Sequence, residues 1–316
     1  MLAIVVAVVI TVLIVKPDSG SNGPSNAGGA DSPSEFASAN DTGPVNIITE
    51  DPTCAAWGRV YQDYVSATRT SGWAKRDKSA PATAWTPEQR TMYETVGKAR
   101  TRTADQAASL TKQTPHRVMR ELYSQFVAYS RLAVASIPTY VSADNILSGS
   151  TDSAASALAN ICSAIHVNVA QTLAPLVAVP GPPSEVLSPD NTTAAEPFLA
   201  AGNPNCADWG PLLAMFDDTT APWRTVDAKI PASDWTPEQR VIIDSSATVM
   251  STNAEDMERL GRASGNPTFE DIAVLATQYR RAYVLALPNY RPVDNYLSQS
   301  AVYLSATITW SCKATS

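Results

Sequence analysis

WTPEQR occurs at Trp85–Arg90 and again, 150 positions later, at Trp235–Arg240. The recurrence is not isolated. CAAWG at Cys54 matches CADWG at Cys206, Trp73 matches Trp223, and IPTYVSADNILS from Ile137 matches LPNYRPVDNYLS from Leu287. Cys162 then matches Cys312. Of 7 tryptophans, six form equivalent pairs and only Trp310 stands alone. Matches of this density and order mark a duplicated domain, so any fold proposed for the first half must serve the second as well.

Both halves carry a helical period. Met92, Val96, Ala99, Thr103, Ala107 and Leu110 step by threes and fours, and so do Val118, Leu122, Phe126, Tyr129 and Ala133. Ile242, Ser246, Val249, Asn253, Met257 and Leu260 repeat the pattern, followed by Ile272, Leu275, Tyr279, Tyr283 and Ala286. YLSATITW alternates like a strand, but its counterpart AASALANI reads as helix, so both are assigned to helix. The hexapeptide itself is a helix start: Thr86 suits the N-cap, Pro87 the first position, Glu88 the positive dipole end, and Gln89 closes a capping box. That structural reading accounts for every residue of the motif. Each half then reads as four helices, and the class is all-α.

The 4 cysteines contain no C-x-x-C pair, which removes zinc spacing. One opens and one closes each repeat, so Cys54 pairs with Cys162 and Cys206 with Cys312, in an oxidising compartment. In an up-down-up-down bundle the start of the first helix and the end of the fourth lie together, where such a bond belongs. A loop of this length gives roughly 4–5 kcal/mol in the chain-entropy model.

Outside the repeats the composition changes. Residues 1–16 open with MLAIVVAVVITVLIV, without a charge, and read as a transmembrane anchor. Fifteen residues give roughly 22 Å of helix against a hydrocarbon core of about 30 Å, and no Lys or Arg precedes them. A start upstream is therefore expected, with an uncleaved anchor preferred over a cleaved signal peptide. Residues 17–50, rich in Gly, Ser, Pro and Asn, read as a flexible tether. The repeats are bounded at 51–168 and 204–316, with a Pro-rich linker at 169–203 joining two tandem disulfide-closed four-helix bundles. The net charge of −7 argues against nucleic acid.

No nucleophile elbow, P-loop, dinucleotide fingerprint or zincin motif is present, so no catalytic residue, cofactor or metal site is assigned. His116 and His166 have no counterparts in the other repeat and take surface or cap roles. Glu255, Asp256 and Glu258 form a solvated acidic face without EF-hand spacing. The binding candidates are Tyr140, Asp144 and Asn145 with their partners Tyr290, Asp294 and Asn295, around a proline-marked break between the third and fourth helices. Against this stands a structural reading, in which the Asp caps the fourth helix and the Tyr packs on the bundle end. Arg131 and Arg281 are equivalent and are placed to pair with Asp144 and Asp294 or with an external anion. Trp73 and Trp223 are hot-spot candidates if exposed and core if buried. The basic stretch AKRDK after Trp73 is a possible headgroup contact.

An N-terminal anchor, a Pro/Ser/Gly tether and an Ala/Thr-rich disulfide-bonded ectodomain together resemble the uncharacterised membrane-anchored envelope proteins of actinobacteria, mycobacteria in particular. The resemblance implies a location, single-pass in the cell membrane with the repeats outside the cytoplasm, and carries no catalytic residues. The expectation is a non-enzymatic binding or scaffold protein, an accessory subunit of a membrane complex in the envelope. Carriage of a lipid or glycan in a helical groove is the alternative, and a cell-wall enzyme acting through Asp144 or Asp294 the minor one.

Overall fold

In the computed structural model, residues 35–189 and 195–315 are described; the apolar segment and the tether up to residue 34 lie outside them. The first repeat contains α1 (Cys54–Thr70), α2 (Pro87–Gln113), α3 (Arg117–Ser136) and α4 (Asn145–His166). A short α5 (Val169–Leu173) follows, then α6 (Cys206–Thr219), α7 (Pro237–Arg262), α8 (Pro267–Ala286) and α9 (Asn295–Lys313). No strand occurs among the described residues, and YLSATITW lies within α9. Its Thr hydroxyls bond back to the helix, Thr307 to the carbonyl of Tyr303 and Thr309 to that of Ser305.

Local chemistry sets the boundaries. Thr86 and Thr236 each accept from the backbone N–H of Gln89 or Gln239, and each Gln side-chain oxygen accepts the Thr backbone N–H in return. Both capping boxes carry Pro at the first helical position. Asn266 caps α8 through the backbone N–H of Phe269, whereas α3 begins at His116 with no side-chain cap. Disulfides join Cys54 to Cys162 and Cys206 to Cys312, with Cα separations of 5.2 and 5.5 Å. Each ties the start of a repeat's first helix to the end of its fourth.

Within each repeat, the second helix packs on the third and the third on the fourth. The most extensive contact between any two helices, however, crosses the repeats: α4 lies along α9, its own counterpart, and α3 touches α8. Equivalent helices meeting in this way give the isologous arrangement of a two-fold dimer, here inside a single chain. The sequence suggests two bundles on a linker; the structure has a main hydrophobic core running through both halves, with a smaller cluster around Trp73, Trp85 and Tyr93 in the first, and the described residues form one compact unit. The reason is visible in α4, whose buried face is Ser148, Thr151, Ala154, Ala155, Ala157, Leu158 and Ile161. Side chains this small fill little volume, and α9 closes the gap.

Two stretches read from the sequence as a tether and a linker are built into this body. Within the proposed tether, Phe36, Val45, Ile47 and Ile48 are buried. Their neighbours are fixed by Arg117, which donates to the carbonyls of Asp41 and Gly43 at 2.5 and 3.2 Å. Within the proposed linker, Val169, Ala170, Leu173, Val177 and Leu199 are buried. Its carbonyls are also held, those of Gly181 and Pro182 by Arg262, that of Leu187 by Arg120, and that of Glu196 by Gln125. Composition marked the first stretch as a flexible tether and the second as a Pro-rich linker, and a few large apolar side chains with a set of mostly charged donors suffice to dock both.

Candidate functional site

Between the third and fourth helices of each repeat, the chain turns through two single 3₁₀ turns, Ile137–Thr139 and Ser142–Asp144 in the first, Leu287–Asn289 and Pro292–Asp294 in the second. The two corners are built alike. Tyr140 donates its hydroxyl to the carbonyl of Lys78 at 3.0 Å and accepts the N–H of Ala82 on its own carbonyl at 2.9 Å. Tyr290 does the same with Ala228 at 2.7 Å and Ala232 at 2.8 Å. Asp144 accepts the N–H of Val141 at 2.8 Å, and Asp294 that of Arg291 at 2.7 Å. The carboxylates thus cap the turn that leads into the fourth helix. Burial pushes both phenols above the ordinary tyrosine range, so each stays a neutral donor.

Around Tyr140 stand Trp85, Tyr93 and Trp73. Trp85 stacks on Tyr93 with centroids 3.9 Å apart, and Tyr93 lies 4.9 Å from Tyr140. Trp73 is buried edge-on to Tyr93. Its counterpart Trp223 is half-buried and donates its indole N–H to Tyr283 at 3.3 Å. Neither tryptophan is an exposed hot spot. Arg76, from the basic stretch, folds inward over Trp73 at 3.7 Å and donates to Asn145 at 2.6 Å. That arginine is thus committed to the corner. Asn295, the equivalent of Asn145, is half-buried at the start of α9.

The expected pairing of Arg281 with Asp294 does not form. Arg281 pairs with Glu258 on α7 at 2.7 Å, while Asp294 takes Arg291 at 3.0 Å. The reason is register, because Arg291 lies three residues before Asp294 within the same turn. Arg131 is exposed on α3. In the acidic stretch of α7, Asp256 pairs with Arg259 and Glu258 with Arg262. No cluster able to hold a metal ion occurs among the described residues. His116 bonds the carbonyl of Glu50 at 2.8 Å and occupies the N-cap position of α3.

Two features were not singled out from the sequence. The first is Arg100, 3 % exposed, which donates to Tyr64 and Ser148 and pairs with Asp152 at 3.4 Å. It lines a cavity of about 10 Å³ beside Trp73, Tyr140 and Asp144, room for roughly one water and far below the volume of a lipid or sugar. The second is a charged cluster where α3 meets α8. Arg117 and Asp271, each 1 % exposed on the side chain, form a bidentate pair at 2.5 and 3.1 Å. Glu121, also buried, has both carboxyl oxygens without a hydrogen-bond partner, its nearest cation being Arg120 at 3.9 Å. Glu121 and Asp271 are equivalent positions 150 residues apart, which the pseudo-two-fold brings together. A signal existed: Arg100 falls on the same helical face as Val96 and Ala107, where a charge is out of place.

The fold and these corners define a class: an all-helical, disulfide-closed internal duplication whose extra-helical segments are docked on a shared core. The chain belongs to the family described as mycobacterial ESX-1 associated protein, whose model matches residues 36–316. It is 41% identical over 317 residues to an uncharacterised protein of Mycolicibacterium smegmatis (strain MKD8), covering 99% of this chain and 84% of that one. No solved structure matches it.

Proposed function

We propose that this protein is a non-enzymatic binding or scaffold component serving an ESX-1 secretion-related process in the mycobacterial envelope. The reading places it as an accessory subunit, held in the membrane by its apolar N-terminal segment, with the disulfide-closed body outside the cytoplasm. Its family supports the process. The observation that carries the scaffold role is the use of the corner side chains: Tyr140, Asp144, Asn145, Tyr290 and Asp294 are all spent on internal bonds. What remains for a partner is an outer surface, presented twice by the pseudo-two-fold, which suits bridging or avidity. Among the described residues no single helix is long and apolar enough to cross a membrane. The membrane attachment in this reading therefore rests on residues 1–16.

In-cell crosslinking of the native protein, followed by mass spectrometry, tests the proposal. A stoichiometric envelope partner crosslinked to equivalent positions of both repeats is expected. Crosslinks confined to the chain itself would overturn it. Asp144→Ala combined with Asp294→Ala is expected to loosen the corners; abolished function in a body that keeps its full stability would instead favour an enzyme.

A further inference from the structure

The two repeats place a buried guanidinium in corresponding volumes by different routes. In the first, Arg100 on α2 is flanked by Tyr64, Ser148 and Trp73 and is balanced by Asp152. The equivalent positions of the second repeat lack that set: Met250 stands in place of Arg100, Phe216 in place of Tyr64, and Val302 in place of Asp152. A cation nonetheless returns, from α8. Arg280, where the first repeat has Ser130, lies over the ring of Phe216 at 4.1 Å and is 4 % exposed.

The counter-charge did not return with it. Arg280 donates to the side-chain oxygen of Asn253 and approaches the sulfur of Met257 at 3.7 Å. Among the described residues no carboxylate forms an ion pair with it. The carboxylate whose field reaches it, Asp217, is 71% exposed and paired with Arg224 at 3.5 Å. Arginine cannot shed its proton in a protein, so a buried guanidinium without an anion bears the full desolvation penalty. Burial lowers its pKa to about 10, which still leaves it charged at neutral pH.

Arg280 lines a cavity of about 10 Å³ together with Phe216, Trp223, Tyr283, Ser298 and Val302. The polar members of that lining are donors. Tyr283 has its oxygen occupied by the indole N–H of Trp223 at 3.3 Å, which leaves its own hydrogen to give. Burial raises its pKa to about 12, so it remains a neutral O–H. Ser298 corresponds to Ser148, which in the first repeat bonds the buried arginine. We infer that this cavity of the second repeat is an anion site that takes a monatomic ion of chloride size, held by Arg280 with the hydroxyls of Tyr283 and Ser298. The volume admits one water-sized guest and excludes phosphate or sulfate.

Chloride itself is the probe. Chlorine-35 NMR of the purified full-length chain at fixed protein concentration should show excess line broadening that saturates as chloride is titrated and is lost in Arg280→Met. Val302→Asp restores the carboxylate of the first repeat while keeping the arginine, and should abolish the broadening equally. Arg100→Met, at the position already balanced by Asp152, should leave it intact. Helical circular dichroism confirms that each variant is folded; should Arg280→Met fail to fold, Val302→Asp carries the test. Absence of saturable broadening in the wild-type chain, or its persistence in the folded variants at position 280 or 302, would overturn the site.

Discussion

A guanidinium that is 1 % exposed has to be matched atom by atom, and Arg117 is matched on every side: Asp271 across the repeats, and the carbonyls of Asp41 and Gly43 on the docked N-terminal segment. Removing it leaves Asp271 buried and unpaired. Arg117→Met should cost about 3–5 kcal/mol in urea denaturation. It should also raise amide exchange in residues 41–48 ahead of the helices. Beside it, burial and the Asp271 charge raise the Glu121 carboxyl well above the usual glutamate range, and burial raises Asp271 too. A raised carboxyl pKa means that the folded state holds the proton more tightly than the unfolded chain does. The contribution is therefore fully present below the unfolded value of about 4.3 and is lost as pH rises through the folded value. Denaturation across a pH series should show stability falling toward alkaline pH, and Glu121→Gln, which is neutral throughout, should flatten that slope. An unchanged slope would remove Glu121 from the account.

At the scale of elements, α4 and α9 come close because Gly149 has no side chain. A Cβ there would clash with the indole of Trp310, the tryptophan without a counterpart in the other repeat. Gly149→Ala should destabilise by about 1–3 kcal/mol through overpacking. Gly58 is the internal control. It lies inside α1 with nothing within 4 Å of a built Cβ, so Gly58→Ala should stabilise by about 0.5–1 kcal/mol. Thermal melts of the two variants should move in opposite directions. This level was the most legible in the sequence. The capping boxes at Thr86 and Thr236 and the helical period follow from local spacing, which is printed in the chain, and the pairing of the cysteines follows from the bounds of the repeat. The α4–α9 contact was not legible, because an Ala/Ser face such as that of Ser150, Ala154 and Ala157 carries no mark of what it packs against.

For the whole molecule, duplication invited a picture of two bundles on a linker, and tertiary packing produced one body instead. The difference lies in residues whose roles appear only in three dimensions. Glu121 and Asp271 are 150 positions apart and become neighbours through the pseudo-two-fold, and Arg120 and Arg262 find their acceptors in backbone carbonyls of residues 181–187. The corner residues were legible by position but not by role. Asp144 and Asp294 stood out because they recur, and a turn that caps a helix recurs as faithfully as a binding site does. Trp73 and Trp223 likewise serve the interior, Trp73 packed edge-on to Tyr93 and Trp223 donating its indole N–H to Tyr283. The central claim is that the two repeats share one core and unfold together, so that the scaffold presents its two halves at a fixed relation. Differential scanning calorimetry of the full-length chain tests it directly. A single transition whose calorimetric and van't Hoff enthalpies agree is the result expected for one cooperative unit. Two separable transitions, each with half the enthalpy, would show two independent bundles and contradict the account.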